Sequence, residues 1–304
     1  MREIGNRPLE ELLRVVPARL REHIWEAGTE ELEEIRVRAG RPVQLLYAER
    51  ERLLPFAADE RFCGLLLESL CEHSAYAREP ELREGFLTLR GGCRVGISGR
   101  AVVLGGRVAH MAAVTSFNLR IAREHKGCAE NALPMLIDRH GMPIPTLLLS
   151  PPGAGKTTFL RDAARLLSDG GTARRGYKVA LADERGELAG ANGGAPLLDV
   201  GIRTDVMDGC PKAEAMERML RSMSPEVIVT DELGNAADAE AVCRAAAGGV
   251  CVIASAHAGS VAEAERKPYL APLLENGSFH QAILLERRGK ELSLQVHACG
   301  KAAV

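Results

Sequence analysis

The second half of the chain alternates short apolar runs with longer segments of helical character. Apolar runs occupy 146–149, 179–182, 227–230 and 250–255, and each leads into a glycine-rich, acidic or histidine-containing segment. Continuous apolar runs this short are typical of strands buried on both faces of a parallel sheet. The pattern predicts an α/β fold, with a mostly parallel sheet flanked by helices such as the one expected over 159–167.

The first part of the chain follows a different pattern, in which short alternating segments are divided by glycine-rich turns. Thr29 is expected to cap a helix, and residues 62–76 have helical spacing. Strands are expected at 35–38, 43–47, 86–89, 94–99, 101–104, 108–111 and 119–123. We predict an N-terminal α/β accessory domain over 1–126, a linker over 127–145 that contains a helical piece, and a nucleotide-binding domain over 146–304.

Residues 150–158 read Ser-Pro-Pro-Gly-Ala-Gly-Lys-Thr-Thr and follow the first of the apolar runs. A glycine-rich loop that joins a strand to a helix wraps backbone N–H groups around nucleotide phosphates and points the positive end of the helix at them. Lys156 is expected to neutralise phosphate charge, and Thr157 to hold Mg²⁺. The predicted phosphate-binding residues are Pro152, Gly153, Ala154, Gly155, Lys156, Thr157 and Thr158.

Ser150 stands where this motif has its first glycine. A glycine there eases a tight turn and does not contact phosphate, so the difference weakens the pattern more than the chemistry. A chance Gly-Lys-Thr in a loop is the alternative, which the preceding strand and following helix disfavour. The predicted cofactors are ATP and Mg²⁺. The sequence has no Asn/Thr-Lys-x-Asp motif, which reads guanine; this favours ATP over GTP but does not decide between them.

The apolar run 227–230 ends in Asp231 and Glu232. An acid pair after a strand is the expected partner of a phosphate loop, the Walker B motif. Asp231 would support the Mg²⁺ shell, and Glu232 would orient the attacking water. The alternative is a buried strand that ends in two solvated acids.

Two further strands end in polar residues that are expected at the same edge of the sheet. Asp183 and Glu184 follow 179–182, and we expect them to share the crevice with Lys156. His257 follows 250–255, where it could contact the γ-phosphate; the alternative for a lone histidine is a structural role. The predicted catalytic residues are Glu232, Lys156, Asp183, Glu184 and His257.

Taken in order, these motifs resemble those of the type II and type IV secretion ATPase superfamily. The segments 183–190, 203–214 and 221–225, with 91–96 and 118–124 upstream, resemble the stage III sporulation protein AA family of endospore-forming bacteria. Ala182 replaces a second acid of the superfamily, which leaves open whether Asp183, Glu184 or Glu187 is the essential one. The resemblance implies a RecA-like P-loop NTPase core that hydrolyses ATP.

The resemblance also implies partners. It indicates a homo-oligomer, expected to be a hexameric ring, that energises a membrane channel complex between mother cell and forespore from its cytoplasmic face. In such rings, arginines of the accessory domain reach the phosphates. The candidates are Arg94, Arg120 and Arg123, with Arg100 as a fourth. For each single arginine, a solvated strand face is the alternative.

Composition changes this picture little. The formal net charge is −2 and aromatic residues make up 4 %, so the basic, aromatic-rich face of a nucleic-acid translocase is not expected. Eight scattered cysteines and no apolar run of about 18 residues favour a protein of the cytoplasm. Two alternatives stay open: a RecA-like nucleic-acid translocase, and a nucleotide-switched scaffold without efficient hydrolysis.

Overall fold

The computed structural model describes residues 7–72, 74, 76–122, 124–171, 175–191, 195–288 and 291–300. The chain forms two compact units. The first comprises Met1–Arg123 and Gly190–Leu198, and the second comprises Glu124–Ala189 and Asp199–Val304. Residues 127–145, predicted as a linker, therefore group with the second unit, whereas 190–198 groups with the first although it lies inside the predicted nucleotide domain.

The first unit contains a six-stranded antiparallel sheet in the order β3-β2-β1-β6-β5-β4. Buried side chains of the helices and strands form one apolar core. The elements are α1 (Arg7–Val15), α2 (Ala18–Ala27), β1 (Leu32–Arg38), β2 (Arg41–Tyr47), β3 (Glu51–Ala58), α3 (Glu60–Leu70), α4 (Glu79–Glu84), β4 (Phe86–Thr88), β5 (Arg94–Leu104) and β6 (Arg107–Arg120).

Several expectations for this unit change in the structure. Thr29 caps no helix: it precedes β1, and Glu31 takes a positive φ of 58° in the turn between them. The short strands expected at 94–99 and 101–104 are one strand, β5, whose register against β6 shifts at three bulges. Pairing between β5 and β6 therefore continues through positions where the sequence pattern predicts the end of a strand.

The second unit contains a seven-stranded sheet in the order β13-β12-β7-β11-β10-β8-β9, parallel except for the edge strand β13. Its elements are a 3₁₀ helix (Glu130–Ala132), α5 (Leu133–Leu136), β7 (Thr146–Ser150), α6 (Lys156–Asp169), β8 (Val179–Asp183), β9 (Thr204–Asp208), α7 (Lys212–Ser222), β10 (Val227–Glu232), α8 (Ala236–Ala247), β11 (Cys251–His257), α9 (Val261–Glu265), α10 (Ala271–Glu275), β12 (Gln281–Arg288) and β13 (Glu291–Ala298).

The central strands of this sheet are buried on both faces, as their apolar sequences require. Every residue of β7 and β8 is buried, and helices α7, α8 and α10 contribute to the core beside them. The predicted mostly parallel sheet flanked by helices is confirmed. The added strand β9 was not predicted, since its burial is only partial and its sequence, Thr-Asp-Val-Met-Asp, is polar at three of five positions. Among the described residues, no helix is long and apolar enough to cross a membrane.

Candidate functional site

The loop between β7 and α6 has the backbone geometry of a phosphate-binding loop. Gly153 and Gly155 take φ values of +77° and +96°, and Gly155 is the N-cap of α6. Residues that carry a Cβ rarely adopt such positive φ values, which explains why both positions are glycine. A Cβ built on either glycine would meet no heavy atom within 4 Å, so the loop surface is open above them.

Lys156, the first residue of α6, is buried and held by the loop that it serves. Its Nζ donates to the Ser150 carbonyl at 3.1 Å, to Ser150 Oγ at 3.0 Å and to the Pro151 carbonyl at 3.2 Å. Burial is the main cause of the lowered pKa of Lys156, and attraction to Glu232 opposes it. Ser150 thus contributes a side-chain oxygen that glycine could not provide.

His257 lies between Lys156 and Glu232 at the carboxyl end of β11. Its Nδ1 is 2.7 Å from Lys156 Nζ, and its Nε2 is 2.9 Å from Glu232 Oε2. A neutral imidazole with the proton on Nε2 satisfies both contacts, since Lys156 then donates to Nδ1 and Nε2–H donates to Glu232. Lys267 in turn donates to the His257 carbonyl. Lys156, Glu232 and His257, which lie 25 to 101 positions apart in the sequence, therefore form one chain of contacts.

 The parallel arrangement of β7, β11 and β10 is what brings Lys156, His257 and Glu232 together.

The two Walker B acids at the end of β10 have different partners, as the alternation of side chains along a strand requires. The register against β11 shifts between Thr230 and Glu232, which leaves Asp231 out of the regular pairing. Glu232 faces His257, whereas Asp231 is buried and its Oδ1 lies 3.1 Å from Lys212 Nζ. Burial raises the pKa of Asp231 to about 6, against the opposing attraction of Lys212.

Glu184 also faces Lys212 rather than Lys156. Its Oε2 lies 3.3 Å from Lys212 Nζ, and its side chain is partly exposed. The expectation that Glu184 shares a crevice with Lys156 is therefore corrected, because Glu184 belongs to the group around Lys212. Among the described residues, no cluster of three or more histidine, cysteine, aspartate and glutamate side chains has the arrangement of a metal site.

Asp183 has a different environment from the one expected for a catalytic acid. Its carboxylate is fully buried and accepts backbone N–H groups of Glu187 at 3.0 Å, Leu188 at 3.0 Å and Ala189 at 2.8 Å. From the other side, Arg161 donates to the carbonyls of Leu188 and Glu187. Burial raises the pKa of Asp183 despite the three N–H donors. Asp183 therefore shapes the loop 184–189, which corrects the expectation that it faces Lys156.

The candidate arginines lie in the first unit. Arg94 on β5 places its guanidinium 4.0 Å from the centre of the Phe86 ring, and Arg120 on β6 is exposed opposite Glu34 of β1. Arg100 is exposed on β5, and Arg123 lies outside the described residues. Their contact with phosphate stays a prediction.

Lys212 is the residue of this region to which the sequence motifs assigned no role. It is the first residue of α7 and is buried, and its Nζ donates to the Glu232 carbonyl at 2.6 Å. A lysine in the first turn of a helix opposes the helix dipole, so its position in the sequence already suggests a nearby acid. Which acids it contacts depends on the sheet order, because Glu184 directly follows β8 and Asp231 lies on the neighbouring strand β10.

The model of the family described as "Sporulation stage III, protein AA" matches residues 6–297. The chain belongs to this family. It is 40% identical to the stage III sporulation protein AA of Bacillus subtilis (strain 168), over 92% of this chain and 91% of that relative. The resemblance expected from the sequence is confirmed.

Solved structures of secretion and pilus ATPases share the fold. The ATPase DotB of Legionella pneumophila superimposes with a TM-score of 0.58 at 17% identity, covering 87% of this chain and 76% of DotB. The pilus retraction motor PilT, solved with bound ADP, gives a TM-score of 0.59 at 16% identity, covering 96% of this chain and 84% of PilT. The RecA-like fold of the core is thereby confirmed.

Proposed function

We propose that this protein is a Mg²⁺-dependent ATP hydrolase that works as a ring-forming motor. The observation that carries the proposal is the contact chain from Lys156 through His257 to Glu232 beside an open glycine loop. Phosphoryl transfer needs a phosphate-loop lysine and a residue that orients the attacking water, and His257 joins these two groups here. The fold of DotB and PilT supports the same class of activity.

The residues present fit a nucleotide with its metal. The backbone of Gly153, Ala154 and Gly155 would cradle the phosphates, with Pro152 at the start of the loop and Thr158 near the α-phosphate. Lys156 would exchange its Ser150 and Pro151 oxygens for phosphate oxygens, which offer a full negative charge in place of carbonyl dipoles. Thr157 and Asp231 carry the oxygen donors that Mg²⁺ prefers. Bound Mg²⁺ supplies neutralisation of the β- and γ-phosphate charge.

Glu232 and His257 are the residues that we assign to the attacking water. Glu232 would hold the water and accept its proton at a carboxylate oxygen. His257 already donates to Glu232 in the neutral tautomer, and release of Lys156 toward phosphate would leave its Nδ1 free to accept. His257 would thus report the presence of the γ-phosphate to the rest of the unit. Asp183 would act indirectly, by holding the loop 184–189.

Family membership supports the proposed biological role. We assign the work of the motor to a membrane channel complex between mother cell and forespore, which the protein would join from the cytoplasm as a peripheral partner. A homo-hexameric ring would bring Arg94, Arg120 and Arg123 to the phosphates. Nucleic acid is not a proposed partner.

The test is ATP hydrolysis by the wild type, Lys156→Ala and the control Lys178→Ala, with mass measured by light scattering in the presence and absence of ATP and Mg²⁺. Lys178 is an exposed lysine before β8 that bonds Ser224. Turnover that is lost only in Lys156→Ala, with assembly that depends on nucleotide, supports the motor. Tight ATP binding without turnover in the wild type would contradict it and favour a nucleotide-switched scaffold, and turnover stimulated by DNA would favour a translocase.

A further inference from the structure

Lys212 is a buried cation in a position that is unfavourable in two respects. Burial removes its ammonium from water, and the N-terminal end of α7 adds the positive end of a helix dipole. Burial alone would lower its pKa, but attraction to Asp231 and Glu184 outweighs burial and raises the pKa. The surrounding oxygens therefore hold Lys212 as a charged group.

Three oxygens surround this ammonium, two from β10 and one from the residue that follows β8. They are the Glu232 carbonyl at 2.6 Å, Asp231 Oδ1 at 3.1 Å and Glu184 Oε2 at 3.3 Å. An ammonium has three N–H donors and no acceptor, so the number of oxygens matches the number of donors. Carboxylate and carbonyl oxygens are also the ligands that hard divalent cations prefer. Lys212 thus lies where a bare metal ion would find oxygen donors.

We propose that Lys212 is the resident cation of the Walker B acids: it prevents a divalent metal from binding them without nucleotide, and it positions Glu232 through the carbonyl of that residue. The second part rests on the proposed ATPase function, whereas the first is a property of the protein alone. Lys212 is a positioning residue, since its contacts are with Asp231, Glu184 and Glu232.

Loss of the Lys212 charge would leave two carboxylates, those of Asp231 and Glu184, without the ammonium that both contact. Arg185 would remain as a weaker attraction on Asp231, and Asp183 acts on Asp231 as a further like charge. Like charges in a poorly hydrated site are relieved by a proton or by a metal ion. Removal of the lysine charge should therefore create affinity for a metal that the wild type lacks.

The first experiment titrates Mn²⁺ into nucleotide-free protein and follows free Mn²⁺ by electron paramagnetic resonance. Lys212→Met and Lys212→Gln should bind Mn²⁺ roughly tenfold more tightly than the wild type, because the ammonium that contacts both acids no longer competes with the metal. The Gln variant keeps N–H donors for the Glu232 carbonyl and protects the fold. The control Lys178→Met should bind as the wild type does. The double variant Lys212→Met/Asp231→Asn should lose the added affinity, which places the new site at Asp231.

The second experiment measures affinity for a fluorescent ATP analogue in EDTA and in Mg²⁺, together with kcat and KM. In Lys212→Met we expect kcat to fall roughly tenfold or more with nucleotide affinity in EDTA nearly unchanged, because methionine has no N–H donor for the Glu232 carbonyl. Lys212→Gln, which keeps such donors, should lose less of kcat. Lys212→Arg keeps the charge and should recover the weak Mn²⁺ binding of the wild type.

Two results would overturn the proposal. One is equal Mn²⁺ affinity in the wild type and in a Lys212 variant whose thermal melt shows that it is folded. The other needs no Lys212 variant: wild-type protein that binds Mn²⁺ tightly without nucleotide and loses this binding in Asp231→Asn. A wild type that does not hydrolyse ATP would refute the proposed function, while the Mn²⁺ comparison would still decide the role of Lys212 toward metal.

Discussion

Replacing Asp183 by alanine separates a structural role of this acid from a catalytic one. The carboxylate accepts three backbone N–H groups at 2.8–3.0 Å. Hydrogen bonds to a charged group contribute roughly 1.5–3 kcal/mol each. The cost of burying the carboxylate, visible in its raised pKa, opposes that gain. We expect Asp183→Ala to lower the free energy of unfolding by roughly 2–4 kcal/mol, since three buried donors lose their acceptor.

The assay is urea unfolding followed by far-ultraviolet circular dichroism, with Asp205→Ala as the control. Asp205 is an exposed aspartate on the neighbouring strand β9, and its loss should change stability by less than roughly 0.5 kcal/mol. A loss of 2–4 kcal/mol corresponds to a fall in Tm of roughly 4–16 °C for a unit of this size. ATP turnover is then measured well below the Tm of the variant and expressed per folded molecule.

On our reasoning, turnover per folded molecule should stay within roughly threefold of the wild type, because Asp183 does not touch the contact chain of Lys156, His257 and Glu232. A variant with unchanged stability and lost turnover would refute this reasoning and return Asp183 to the catalytic residues. Unchanged stability with normal turnover would also contradict this reasoning, since the hydrogen bonds from the three N–H donors to the carboxylate would then not stabilise the fold.

Three further predictions concern the same edge of the sheet. Glu232→Gln should keep ATP binding and lose turnover by roughly 10²-fold or more, since the amide cannot accept a proton; wild-type turnover in this variant would exclude the proposed role of Glu232. Ser150→Gly removes one oxygen partner of Lys156 and should tighten binding of a fluorescent ATP analogue up to roughly fivefold, and weaker binding would contradict this reasoning. Asp231 has a pKa of about 6, raised by burial above its ordinary value of 3.8, so the proton favours the folded state. Its stabilising effect is complete below pH 3.8 and is lost as the pH rises through 6, a loss of about 3 kcal/mol. Unfolding of Asp231→Asn in urea at pH 4 and pH 7 should lack this decline, and parallel pH profiles for variant and wild type would show that Asp231 does not titrate as described.

Local sequence patterns were sufficient to predict much of the fold. The buried strands β7, β8, β10 and β11 were predicted because their apolar runs are continuous and end at turn-forming or polar residues. Where local signals compete, the prediction failed. Thr29 has the residue type of a helix cap, yet it precedes a strand, since pairing of β1 with β2 and β6 decides the structure there.

By itself, the sequence determined the order of the motifs, the class of fold and the identity of the groups that could serve phosphate chemistry. Each of these depends on residues that are adjacent in the sequence. Only the tertiary structure decided which groups meet. The order of β7, β11 and β10 joins Lys156 to Glu232 through His257, whereas Asp231, the preceding residue of β10, contacts Lys212 of α7. Charges that lie on different strands acquire their partners only when the sheet is assembled, and burial in the folded unit is the largest cause of the lowered pKa of Lys156 and the raised pKa of Asp231.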